Sequence, residues 1–209
     1  MTKDNKQDEL NGADIFSDWE NLIGSPTPSQ KQEEEGLSLD NLMTDGGETY
    51  WLDELTKTNL SGMDLVALDL IPYYVHDFKA EYAQMKTQVH IFLLKLAYAY
   101  RNDLRVAGLS EDQIDELSKG LLPMNWTVHL KYPVAYGGTI TAHNFVLMPH
   151  HPFHEELHHF INRQIVTDAG VMNPATLYVP TPKSAVYVPF ASNEMPSKII
   201  HFQTMGDAK

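Results

Sequence analysis

The sequence predicts an α+β fold: a long core helix, a small ββα unit, an irregular C-terminal arm and an acidic, flexible N-terminus. Three observations carry that prediction. Residues 73–100, "YYVHDFKAEYAQMKTQVHIFLLKLAYAY", repeat apolar side chains at helical spacing and contain neither Gly nor Pro. Residues 126–160 alternate like two strands about Gly137-Gly138 and then change to a helical rhythm. Charge is segregated along the chain. Residues 1–60 carry 4 Lys+Arg against 14 Asp+Glu, residues 61–120 carry 6 against 9, and residues 121–209 carry 5 against 5, within a total of −13.

That segregation divides the chain into an acidic segment over residues 1–60 and a domain over residues 61–209. The segment contains "GSPTPSQKQEEEG" and "TDGGETY", interrupted by short apolar groups such as "IFSDWENLI" and "LSLDNLM". Its composition predicts flexibility, with those groups as anchoring turns. It serves either as a solubilising tail or as a segment that docks on a carrier, a chaperone or the catalytic face. The neutral C-terminal half argues against a broad basic face for nucleic acid. There are no cysteines, which excludes disulfides, thiolate zinc sites and thiol nucleophiles. No apolar core follows the N-terminus and no membrane-spanning run exists. The chain is therefore expected to be made in the cytoplasm without a cleaved signal peptide and to stay off membranes.

After the long helix, on which His76 and His90 are read as packing or surface residues, "LSEDQIDELSKG" predicts a short second helix. Ser110 caps it, Gln113 completes a capping box and Gly120 ends it. Beyond about Ile165, "TLYVPTPKSAVYVPF" and "SKIIHFQTM" are β-branched, aromatic and punctuated by Pro, which predicts edge strands or a wrapping arm.

Seven of the ten histidines fall within residues 126–160. The first strand there runs to His129, bends near Pro133 and turns at Gly137-Gly138, and "TITAHNFVLMP" resumes as the second strand. After Pro149 a helix begins, with Phe153, Leu157, Phe160 and Ile161 apolar. His154 and His158 lie four apart on one face of that helix. Strand, turn, strand and helix over about residues 124–165 form a ββα unit. It can bring two helical histidines and one strand histidine to a point. Three nitrogens with open positions suit a catalytic metal. His150, His151 and His159 are read as surface residues, Glu155 and Glu156 as facing water. A peptidase reading is not adopted.

Here the sequence resembles a known family. Gly120, Pro123, Trp126, Val128-His129, Lys131, Pro133, Gly137-Gly138-Thr139, Asn144-Phe145-Val146-Leu147 and Pro152-Phe153-His154 follow the order of the HNH, or ββα-metal, nucleases. Within them the likeness is to antibacterial toxin domains of polymorphic-toxin and type VI secretion systems. It covers about residues 105–165. The resemblance implies a divalent ion (Mg, Mn, Ni or Zn) held by His129, His154 and His158, with Asn144 bracing the loop. It implies phosphodiester hydrolysis of nucleic acid, DNA in the first instance; because the C-terminal half is neutral, phosphate contact then has to come from Lys131, Arg163, Lys183 and the metal. It further implies delivery into competing cells by a specialised secretion system, with a carrier or chaperone and a cognate immunity protein as partners.

One position departs from the family. Its second consecutive histidine, the general base, is Leu130 here. Leucine accepts no proton, and a general base is worth about 10²–10⁴-fold. Either His129 is the base in a pairing shifted by one, or His143, His150 or His151 takes the role, or Leu130 is an inactivating substitution. Leu130→His is expected to restore cleavage. The alternatives to an enzyme are a catalytically silent binding module and a metal-stabilised structural domain.

Overall fold

In a computed structural model, the chain is described over residues 46–70, 78–167, 170–171, 174–189 and 199–202. The acidic N-terminus as far as residue 45 and the first turn of the expected long helix, residues 73–77, lie outside the described residues. The elements are helix α1 (Gly46–Thr56), strand β1 (Met63–Asp69), helices α2 (Phe78–Ala99), α3 (Arg101–Val106) and α4 (Glu111–Leu117), strands β2 (Trp126–Leu130) and β3 (Phe145–Pro149), helix α5 (Glu155–Ile165), and strands β4 (Val166–Thr167), β5 (Gly170–Val171), β6 (Thr176–Pro182) and β7 (Ile199–Phe202). The fold is α+β, as expected. Among the described residues no helix is long and apolar enough to cross a membrane.

The β2–β3 hairpin divides the core in two. Its strands pair antiparallel from Trp126 opposite Pro149 to Leu130 opposite Phe145. Alternate side chains point to opposite faces of such a ribbon. Val128, Leu130, Phe145 and Leu147 join the cluster built by α2, α3 and α4, with Phe92, Leu93, Leu104 and Ile114. Val146 and Met148 face the other cluster, built by α1, α5 and the sheet of β1, with Trp51, Leu65, Leu157 and Phe160. Both faces are covered, which is why these strands read as almost continuously apolar. His129 lies on the second face, toward α5.

The capping box of α4 forms as expected. Ser110 Oγ accepts from Gln113 N at 3.3 Å, and Gln113 Oε1 accepts from Ser110 N at 3.0 Å. Gly120 closes the chain after α4 at φ +73°, with Leu121 N donating to Glu116 O at 3.0 Å. A side chain there would also strike His90, whose Nδ1 would lie 2.1 Å from the added carbon. His90 is thus a surface residue that lies against Gly120.

Three expectations are corrected. Residues 46–60 do not belong to a flexible segment: Trp51, Leu55 and Leu60 are buried in the core. The acidic run hides an amphipathic helix, in which Trp51 and Leu55 are one turn apart. Second, the strand after the glycine turn starts at Phe145, because residues 139–144 are held in a turn by Asn144. Third, the C-terminal region is more regular than an irregular arm. β6 pairs antiparallel with β1 along seven residues, from Met63 opposite Pro182 to Asp69 opposite Thr176. β7 pairs parallel on the other side, in the order β6-β1-β7. Both C-terminal strands are therefore edges, as expected, and Pro180 and Pro182 are tolerated because an edge strand spares donors. The central strand β1 has no counterpart among the sequence expectations.

Candidate metal centre

His129 approaches from β2, His154 from the turn that opens α5, and His158 from the first turns of α5 itself. The ring of His129 lies 5.2 Å from that of His154 and 5.1 Å from that of His158, centroid to centroid. His154 and His158 are 4.3 Å apart, with their Nε2 atoms at 2.9 Å. One nitrogen from each ring falls within 4.8 Å of the others, so the three lie close enough together to hold a metal ion. His129 and His154 are buried, and His158 is half-buried.

The donor set fits a cation. His129 Nε2 is buried with no hydrogen-bond partner, and leaving such an atom unpaired costs about 1–3 kcal/mol. A Lewis-acidic ion would remove that cost. Burial, and then the neighbouring His158 and His154, hold the His129 imidazole well below its ordinary value. Burial, then His158 and His150, push His154 down to about 3. Both rings are therefore neutral near pH 7 and offer lone pairs.

The same shifts predict acid lability of the metal-free protein. A depressed folded-state pKa means that below the ordinary value of 6.5 the unfolded chain binds protons that the folded chain refuses. Stability is then unaffected above 6.5 and falls as pH drops from there toward about 3. Each group contributes about 1.4 kcal/mol per pH unit. Chelator-treated protein is expected to lose about 2 kcal/mol or more between pH 7 and pH 5.5 in urea titrations. Constant or rising stability over that interval would contradict a neutral histidine cluster.

Asn144 ties the two ends of the loop together by hydrogen bonds. It is buried, its Oδ1 accepts from Tyr132 N at 2.8 Å, and its Nδ2 donates to Tyr132 O at 2.8 Å and Thr139 O at 3.0 Å. Lys131 N adds a bond to Asn144 O at 2.7 Å. Gly137 turns the chain at φ +87°. A carbon added to Gly138 would come 1.8 Å from Tyr132 O and 2.9 Å from Asn144 Nδ2. Gly138 is thus needed for closeness. Gly138→Ala and Asn144→Ala are each expected to lower stability by about 3 kcal/mol, the first by overpacking and the second by orphaning buried groups. Denaturant midpoints check this, and a change below about 1 kcal/mol in both would show the loop is not held this way.

Other expected site residues fall elsewhere. Leu130, assigned as the place of the missing base, is buried in the α2–α4 cluster on the face opposite His129. Strand alternation turns it away from the centre. Arg163 is engaged within the fold: its Nη1 pairs with Glu54 Oε2 at 2.7 Å, and its guanidinium lies 5.6 Å from the Trp51 ring centroid. Lys131 is half-buried two residues past His129, and burial lowers the pKa of its ammonium group. Lys183 is exposed, 3.7 Å from Asp64. His143 is exposed on the far turn of the loop.

Two further residues lie beside the cluster: His150, which the sequence offers as a candidate base, and Glu155, which it reads as facing water. His150 lies in ring contact with His154, 5.3 Å between centroids. Glu155 reaches both neighbouring histidines, with Oε2 2.8 Å from His151 Nδ1 and Oε1 3.7 Å from His150 Nδ1. The signal was present: His154-Glu155-Glu156-Leu157-His158 has the H-E-x-x-H spacing that places two zinc ligands and a proton-accepting Glu on one helix. Glu155 is exposed, as expected, whereas Glu156 is half-buried and its Oε1 accepts from Asn59 N at 3.1 Å. Compared with family models, with curated proteins and with solved structures, the chain matches none.

Proposed function

We propose that this protein is a metal-dependent nuclease of the HNH type, hydrolysing phosphodiester bonds of nucleic acid, DNA in the first instance. The carrying observation is the convergence of His129, on a strand, with His154 and His158 on the next helix, across a loop braced by Asn144. His129, His154 and His158 would hold one divalent ion. When bound, the ion supplies Lewis acidity to a phosphoryl oxygen and to the leaving oxygen. Three imidazoles without a carboxylate suit Zn or Ni better than Mg or Mn, which favour oxygen donors.

With Leu130 turned away, the proton of the attacking water goes to His150, whose ring lies beside His154. Role and setting follow from the resemblance: an antibacterial toxin, delivered by a specialised secretion system, and accompanied by a carrier or chaperone and an immunity protein. Phosphate contact falls chiefly to the ion and Lys131, because Arg163 is committed to Glu54.

The H-E-x-x-H spacing favours a second reading, a zinc peptidase in which Glu155 itself takes the proton. The strand-borne ligand and the braced loop favour the nuclease. Plasmid nicking and casein hydrolysis, each with Zn, Ni, Mn and Mg, separate them. Nicking is expected, with His150→Ala slower by about 10²–10⁴-fold at unchanged zinc affinity. Casein cleavage abolished by Glu155→Gln selects the peptidase. Metal binding without either cleavage leaves a binding module or a metal-stabilised structural domain.

A further inference from the structure

The helix that carries the metal-facing histidines is fastened on its other side to the N-terminal helix. Glu156 and Arg163 are seven residues apart, so they share one face of α5, turned away from His154 and His158. Arg163 Nη1 donates to Glu54 Oε2 of α1 at 2.7 Å, and its guanidinium packs over Trp51 and Phe160. Glu156 Oε1 accepts the backbone N–H of Asn59, just beyond α1, at 3.1 Å. The Glu54 and Arg163 side chains are 12% and 26% exposed, so this pair is shielded better than the freely solvated ion pairs that contribute little. His129, in contrast, belongs to β2, which pairs with β3. A small displacement of α5 therefore moves two of the three nitrogens relative to the third.

We propose that Glu54 and Glu156 are positioning residues for the metal centre. Docking of α1, through Glu54–Arg163 and Asn59–Glu156, sets the approach of His154 and His158 to His129. Metal binding and α1 docking then stabilise each other by the same factor, because coupling between two equilibria is reciprocal. The inference rests on the metal reading and adds to it a partner element that lies outside the ββα unit.

The test uses the full chain, first stripped of metal. Zinc titration by calorimetry of the wild type establishes whether the centre binds. Hydrogen exchange of residues 46–60, with and without Zn²⁺, reads the coupling without any substitution. Exchange there is expected to slow on zinc addition. Glu54→Gln, checked for intact circular dichroism, is expected to weaken zinc binding about tenfold, the lower end for groups that orient ligands from outside the first shell. It should also alter the visible spectrum of the Co²⁺-substituted protein. If the wild type binds no ion, the metal reading falls and the coupling with it. If it binds, but exchange in residues 46–60 is unchanged or Glu54→Gln keeps wild-type affinity and spectrum, the coupling alone is overturned.

Discussion

His154→Ala is expected to abolish tight divalent-ion binding, raising Kd at least about 100-fold. Substitutions of residues that merely support ligands already cost about 10–100-fold, and among the described residues His154 supplies one of the three nitrogens that lie together. The effect has a thermal readout. An ion at about 1,000 times its Kd stabilises the folded state by about 4 kcal/mol, and at about 10 times its Kd by about 1.4 kcal/mol. The zinc-induced rise in Tm should therefore shrink by roughly 5–10 °C in a chain of this size. The loss of Tm in metal-free buffer reports only the removed buried ring, so the difference between the two buffers is diagnostic. Cleavage by the loaded protein should vanish in parallel. Unchanged zinc affinity in His154→Ala would remove the site.

Leu130→His is expected to destabilise the protein without accelerating cleavage. Read from the sequence, the substitution restores a general base. In the folded chain Leu130 is 3% exposed, pairs opposite Phe145 and packs into the cluster of Phe92, Leu93 and Ile114. An imidazole there loses the apolar contacts of leucine and buries two ring nitrogens among hydrocarbon. Loss of packing and burial of unpaired polar groups together amount to about 3 kcal/mol or more. Guanidinium denaturation should register that loss, and plasmid nicking should stay at or below the wild-type rate. A stable Leu130→His protein that cuts about 10²-fold faster would show that position 130 faces the substrate, and would return the role of base from His150 to the strand.

The sequence by itself determined the local pieces. Ser110 and Gln113 specify the start of α4, Gly120 its end, and an uninterrupted apolar period the long helix. The four-residue spacing of His154 and His158 places two imidazoles on one side of a helix, and the alternation around Gly137-Gly138 places His129 on a strand nearby. Helix periods, caps and turns act over a few residues, so they are legible in the chain. Which way a strand faces is not. Val128, His129 and Leu130 read as one stretch, and only the packing of β2 between two clusters puts His129 with α5 and Leu130 with α2. Pairings across long separations were likewise hidden: β1 with β6, Glu54 with Arg163, and Asn59 with Glu156. Glu54 sits in an acidic run and Arg163 on a helix surface, and each alone looks solvated. Their partners are chosen by how the sheet, α1 and α5 close around one core, a decision made by the folded chain as a whole.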